Sequence, residues 1–584
     1  MRWSSDPLPG PMSGEPADDD PTEVLGSVPG SILARHGARV LRPTEAAGFQ
    51  GDPVPRSTIY RTRTLLVPGD LPTGPGSPAG DILERLGMEL VIPDSDVADR
   101  AATRTAVLRP ARTARTPVTV DAWVALQALR HGAAERRTHE EALTEADAER
   151  ISRIQLEHLL CAAPMTGSPI TEGGPITEGG PITEGGGLGT DPAGSYLHPG
   201  GSPRAPVHLY LPPPPRRPDT EAGQRPVVLV ADTGLLPNDT WLGVRPDPAA
   251  PGGYTAAGTP GTAPFAVVDQ NLQAAIAANS SSVTSAGDQP RQIISGPWDS
   301  PVTIGPLNPG VPVCSGHGTF IAGIIRQLAP DAQVLSVRIM HPDAIVYEGD
   351  LLFALQQIQH QVTNGALRVD VISLSLGYFS ENQEDATYSA TLRPVVDGLT
   401  GQGVAVVAAA GNFATTRRYY PAAWAAQPPG PGHAPVLSVG ALNPNGSEAS
   451  FSNGGPWVRV WANGAAVVST FPTVINGGLM PGSRMTMPPG GAAGTSPEAA
   501  RREPLDPDNY HDGHATWSGT SFAAPELAAR IAAQLTAGAG VSPADLGLAE
   551  PGAAAALRRT VSALESLGWA PEPGPAGEEG RGSG

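Results

Sequence analysis

The chain has 584 residues, more than one domain ordinarily holds, and Gly (71) and Pro (65) make up almost a quarter of it, so much of its length must be loop or linker. A formal net charge of -19, relieved only by the short basic pairs Arg136-Arg137, Arg417-Arg418 and Arg501-Arg502, excludes a nucleic-acid surface. No apolar run reaches the roughly 18 residues of a membrane span, which excludes a membrane partner of that kind.

The opening stretch MRWSSDPLPGPMSGEPADDD has no basic region followed by an apolar one, so the expected location is the cytoplasm, or outside the cell if the true start lies elsewhere. Residues 1–25 are polar, acidic and rich in Pro and Gly, a composition that predicts disorder. Residues 26–161 read as a smaller α+β region. Within it SILARHGARVLRP (31–43) and DILERLGMELVIP (81–93) echo each other as helix, turn and strand. DAWVALQALR (121–130) predicts a helix, and the stretch from Thr138 to Ala162 a longer one, with Ile151, Ile154, Leu156, Leu159 and Leu160 on its apolar face. Residues 162–222 predict a flexible linker, in which PITEGG repeats between Pro169 and Gly187 before the stiffer LPPPPRRP of 211–218.

From residue 223 the pattern changes to short apolar strands alternating with helices, the mark of a mostly parallel sheet covered on both faces. The strands are read at 226–234, 332–340, 369–377, 403–412 and 435–442, and the helices at 317–328, 349–363, 386–400 and 519–537. Residues 541–584 are expected to be a helical extension and a disordered tail. Cys161 and Cys314 are the only cysteines, and two imply no disulfide framework.

Three polar residues stand where such a sheet gathers its chemistry. Asp232 ends an apolar strand in VADTG, His317 sits between Gly316 and Gly318 in SGHGTFIAGII, and Ser521 opens an Ala-rich helix in WSGTSFAAPELAARIAAQL. Each alone has a plain reading: a turn cap, a satisfied ring, a helix cap. Together, in the order Asp, His, Ser, the blocks VADTG, GHGTFIAG and GTSFAAP resemble the signatures of the subtilisin-like serine peptidases. SLSLG (373–377) and AAAGN (408–412) are similar to that family's pocket strand and oxyanion block, and the resemblance covers about 223–540.

The resemblance implies an α/β, three-layer subtilisin-like fold with a mostly parallel central sheet, acting on a protein or peptide substrate. It implies Ser521 as nucleophile, His317 as base and then acid, Asp232 as the carboxylate that orients the imidazole, and Asn412 as an oxyanion donor with the Ser521 N–H. Ser375, Leu376 and Gly377 would form one wall of the substrate pocket, with Ala409, Ala410 and Gly411 opposite. Serine, His and Asp in these roles imply activity near neutral to mildly alkaline pH, and the variant with Glu as base and Asp in the oxyanion position is disfavoured. No cofactor is required; family members often bind structural calcium, for which no oxygen-ligand loop can be assigned in this sequence.

The departures are specific. Phe320 stands where the family's second block has another His. Long insertions, 243–285 and 471–516, flank the motifs without an evident mechanism. Cys314, three residues before His317, is a second thinkable nucleophile but lacks the context of Ser521. His511, Asp512 and His514 read as a solvated loop and not a metal site. The 26–161 region is expected to be an inhibitory or folding-assisting propeptide or a permanent recognition domain, and the alternative to an active peptidase is a catalytically silent binding module on the same fold.

Overall fold

In the computed structural model residues 1–4, 30–49, 53–93, 102–138, 143–162, 196, 204–222, 224–287, 293–300, 312–382, 391–475, 510–536 and 552–570 are described. The acidic opening beyond residue 4, the PITEGG repeats, most of the 471–516 insertion and the tail beyond 570 lie outside the described residues.

The apolar run VVLVAD forms a strand, Val227–Asp232, whose alternate side chains enter two separate cores: Val228 and Val230 one, Leu229 and Ala231 the other. A strand buried on both faces must be covered by two layers of helix. His317–Leu328 and Thr520–Gln534 supply the first layer, and Glu348–Thr363 and Leu392–Thr400 the second. Among the described residues this sheet has eight strands in the order Arg2–Trp3, Val460–Asn463, Val436–Leu442, Ala405–Ala409, Val371–Leu374, Val227–Asp232, Gln333–Arg338 and Ala266–Val268. All pairs are parallel except the first, in which Arg2 and Trp3 lie antiparallel to Trp461 and Val460. After Val227–Asp232 the chain builds one flank of the sheet and then the other, so Asp232 ends its strand at the point where the order reverses.

The region before the linker has its own core, in which Tyr60, Leu65, Leu83, Leu108, Trp123 and Leu126 are buried together. Its helix-turn-strand echoes are present as Gly30–Arg35 with Ala38–Leu41, and Pro78–Arg85 with Met88–Val91. Four of its strands lie antiparallel in the order Gln155–Ala162, Thr58–Pro68, Thr103–Pro110 and Met88–Val91. This sheet does not stop at the region's border. Gln155–Ala162 pairs on its other side with Ile345–Tyr347 and with Leu376–Gly377.

The single helix expected from Thr138 to Ala162 is therefore corrected. A helix runs over Glu145–Ser152, capped by the Thr144 hydroxyl, which accepts from Asp147 N at 3.1 Å, and Gln155–Ala162 is a strand. The cause is burial on both faces: Leu156 enters the amino-terminal core while Leu159 and Leu160 enter one of the two cores of the eight-stranded sheet, so the apolar residues do not alternate and imitate a helical face. The helix read at 121–130 extends over Ala122–Thr138. The insertion at 243–285 is also more regular than its composition suggests, with strands at Val244–Pro246, Tyr254–Ala256 and Ala266–Val268 and a helix over Gln270–Ala286 capped by Asp269.

Candidate active site

Parallel strands deliver their last residues to one edge of the sheet. Asp232 ends its strand there, buried, and its Oδ1 accepts from Thr233 N at 2.8 Å. His317 begins the helix that packs over this edge, after Gly316 in a left-handed conformation (φ 83°). A side chain at Gly318 would bring its Cβ within 2.3 Å of the Gly234 carbonyl, so the small residue is what lets the two segments meet. The result is a hydrogen bond of 2.8 Å between His317 Nδ1 and Asp232 Oδ1, in a pair withdrawn from solvent. With Nδ1 facing a carboxylate, Nε2 is the proton-accepting end of the neutral ring. Among the described residues it has no hydrogen-bond partner.

Phe320, the departure from the family pattern, lies in the aromatic wall beside this ring. It contacts Phe522 at 4.5 Å and Trp517 at 5.7 Å between centroids, and these two rings lie 5.4 and 5.6 Å from His317. Apolar packing stands there in place of a polar side chain, and the bond between His317 and Asp232 is kept.

Ser521 is buried in the first turn of Thr520–Gln534. Pro525 lies inside this helix and has no N–H, so the Ser521 carbonyl loses its usual partner four residues on. The Ser375 hydroxyl replaces it, donating to Ser521 O at 2.9 Å, while the Ser521 hydroxyl donates to Ser375 O at 3.4 Å. Ser375, expected as pocket wall, thus touches Ser521 directly. Asn412 Oδ1 accepts from both the backbone N–H and the hydroxyl of Thr520, each at 2.9 Å, which fixes its carboxamide beside Ser521. Thr520 Oγ1 also accepts from Gly411 N at 3.1 Å, tying the AAAGN block to the helix start.

Leu376 and Gly377 form a short strand, but the chain itself lies on it: Leu376 pairs with Ala162 and Gly377 with Cys161. The Tyr419 hydroxyl donates to Cys161 O at 2.9 Å. The strand Gln155–Ala162 therefore runs toward Ser375 and Ser521. Ala409, Ala410 and Gly411 are buried at the end of the neighbouring strand Ala405–Ala409, whose Ala408 is paired with Leu374, and Ala410 N donates to Val439 O at 2.9 Å.

A second strand, Arg204–Pro206, lies antiparallel to His514–Trp517 beside the helix that carries Ser521. Arg204 is buried, its guanidinium donating to Val313 O at 2.6 Å and lying over the rings of Phe471 and Trp517 at 5.3 and 5.1 Å. A lone Arg in a Pro-rich stretch gives no signal of this in the sequence.

Two further positions were not legible. Asp299 Oδ2 accepts from Gly316 N at 2.7 Å and so holds the turn before His317; burial pushes its carboxyl up to about 6 against the pull of Arg338. Asn453 grips the loop that carries Asn412, its Nδ2 donating to Ala410 O at 2.8 Å and its Oδ1 accepting from Phe413 N at 2.8 Å. Cys314 is a buried free thiol, and burial pushes its pKa well up, which makes it a poor nucleophile. His514 does not belong to a solvated loop: it is buried in a strand, edge-on to Trp241 at 5.2 Å, whereas His511 and Asp512 are exposed. Among the described residues no group of three or more His, Cys, Asp or Glu side chains is placed to hold a metal.

The sequence model of the subtilase family matches residues 223–570. Subtilisin BL of Lederbergia lenta is 33% identical over 176 residues, 29% of this chain and 57% of its own length. Subtilisin E of Bacillus subtilis (strain 168) is 30% identical over 167 residues, 27% of this chain and 39% of its own length. The chain thus spans about half the length of the curated relatives it matches. A solved cold-adapted subtilisin-like serine proteinase aligns over 56% of this chain and 80% of its own at 19% identity, with a TM-score of 0.31.

Proposed function

Because the chain belongs to the subtilase family, we propose that it is a serine endopeptidase that hydrolyses peptide bonds of protein or peptide substrates through an acyl-enzyme on Ser521. His317 Nε2 takes the hydroxyl proton as Ser521 attacks and returns it to the leaving amine, while Asp232 holds the ring and stabilises the imidazolium. The Asn412 amide and the Ser521 N–H receive the oxyanion, with the amide contributing roughly 3 kcal/mol. The observation that carries this reading is the buried 2.8 Å bond between His317 and Asp232, with Nε2 left uncommitted.

The ladder of Cys161 and Ala162 on Gly377 and Leu376 supports a second part of the proposal. The amino-terminal region acts as an inhibitor in cis, laying its last strand along the wall where a substrate strand would pair. Treatment with a serine-directed fluorophosphonate, followed by intact mass, tests the chemistry. The chain should gain one adduct, slowly, and Ser521→Ala none; a folded chain that never labels, even with its amino-terminal strand displaced, would mean a silent binding module instead.

A further inference from the structure

At one of its two edges the central sheet does not end on a strand of the region after the linker. Its edge strand Val460–Asn463 is covered by Arg2–Trp3, which comes from the other side of the linker. Ser4 N continues the ladder, donating to Arg459 O at 2.9 Å. The Trp3 indole donates to Leu567 O at 2.6 Å, just beyond the helix Ala553–Ser566, and its ring packs with Met1 against the catalytic core. Arg2 pairs with Glu448 and lies over Trp461, 5.8 Å from the ring centroid. A paired edge, a seated aromatic and an ion pair make a built contact, of the kind by which an added strand binds a sheet.

We propose that Met1–Ser4 is a clamp that keeps the amino-terminal region bound to the catalytic region as a resident subunit after the linker between them is cut. The same fragment would then grip the catalytic region twice, through Gln155–Ala162 at the cleft and through Arg2–Trp3 at the sheet edge. With two contacts joined by one chain, release needs both open at once and either one re-forms while the other holds, which raises affinity over a single contact by about 10² to 10⁴ in linked systems. This goes beyond the inhibitor reading, which needs only the contact at the cleft.

The test uses the full chain carrying Ser521→Ala, with a recognition site for an unrelated protease placed in the PITEGG repeats. After cutting, the catalytic portion is immobilised and release of the labelled amino-terminal fragment is followed. The fragment should stay bound, and Trp3→Ala should speed its release at least ~10-fold. Release at once from the otherwise unsubstituted protein, or a rate changed less than about twofold by Trp3→Ala, would overturn the proposal, twofold being small against the gain expected of a linked contact. Thermal melting of the uncut variant checks folding. If Trp3→Ala is too unstable, Trp3→Phe keeps a ring and loses the bond to Leu567 O, and should give an intermediate release rate. No catalysis enters this readout, so failure of the peptidase reading would appear separately, as absent fluorophosphonate labelling.

Discussion

Ser521 is held from both ends by one residue, and the reason is covalent: Pro525 cannot donate to the Ser521 carbonyl, and the Ser375 hydroxyl does. Ser375→Ala should leave that buried carbonyl unsatisfied, at a cost of about 1–3 kcal/mol in denaturant unfolding. It should also lower kcat, while Ser375→Thr retains the donor and most of the rate. Asn412→Ala should reduce kcat by about 10²- to 10³-fold with little change in KM. Asp299 titrates in the opposite sense to a paired carboxylate. Its folded value of about 6 lies above the ordinary 3.8, so the folded state loses stability as pH rises through that interval, and the loss is complete above it. Asp299→Asn should match the parent near pH 3 and exceed it in unfolding midpoint at pH 8; an unchanged difference between the two pH values would contradict this. Asp232, His317 and Ser521 stood out in the sequence as candidates because each lies in a short contiguous block. The second task of Ser375 did not, since it joins a missing N–H in one motif to a hydroxyl 146 residues away.

At the scale of elements, the strand Gln155–Ala162 carries most of the contact between the two regions, and its polar centre is His158. Its ring is buried against Tyr378, with Nδ1 2.7 Å from Glu348 and Nε2 2.8 Å from Glu381. Arg130 acts on the same Glu381, and Arg61 pairs with the neighbouring Glu157 at 3.4 Å. Burial opposes the charge on His158, but the two carboxylates outweigh it and hold the ring protonated up to about 10. A folded value above the ordinary 6.5 means that the stabilisation is fully present below that pH and is lost as pH climbs toward 10. Melting temperature should therefore fall between pH 7 and pH 10, and His158→Gln should flatten the fall; equal slopes would remove His158 from the account. The sequence concealed this strand because a segment buried on both faces has no alternation to betray it. The strands 333–338, 371–374 and 436–442 were readable because apolar β-branched runs lay between clear helices. The contact of Arg204–Pro206 with His514–Trp517 was unreadable for another reason: a three-residue strand has no period, and its partner lies about 300 residues on.

For the whole molecule, two sheets are shared between regions that the linker separates in sequence. One is completed at its edge by Arg2–Trp3, and the other passes from the amino-terminal core to Leu376–Gly377, next to the Ser375 that touches Ser521. The fold of the catalytic region followed from its own residues, but this sharing is a matter of long-range pairing that no local pattern encodes. The central claim, a subtilase nucleophile covered by the chain's own strand, is tested most directly by the rate of fluorophosphonate labelling at Ser521. It should be compared in the full chain and in Leu160→Asp, which buries an unpaired carboxylate between Gln155–Ala162 and the catalytic core and so loosens the strand. Labelling at least ~10-fold faster in the folded variant is the predicted result, the loss of about 1.4 kcal/mol or more of strand docking being enough to produce it. Equal rates in the two proteins, or no labelling in either, would contradict the account.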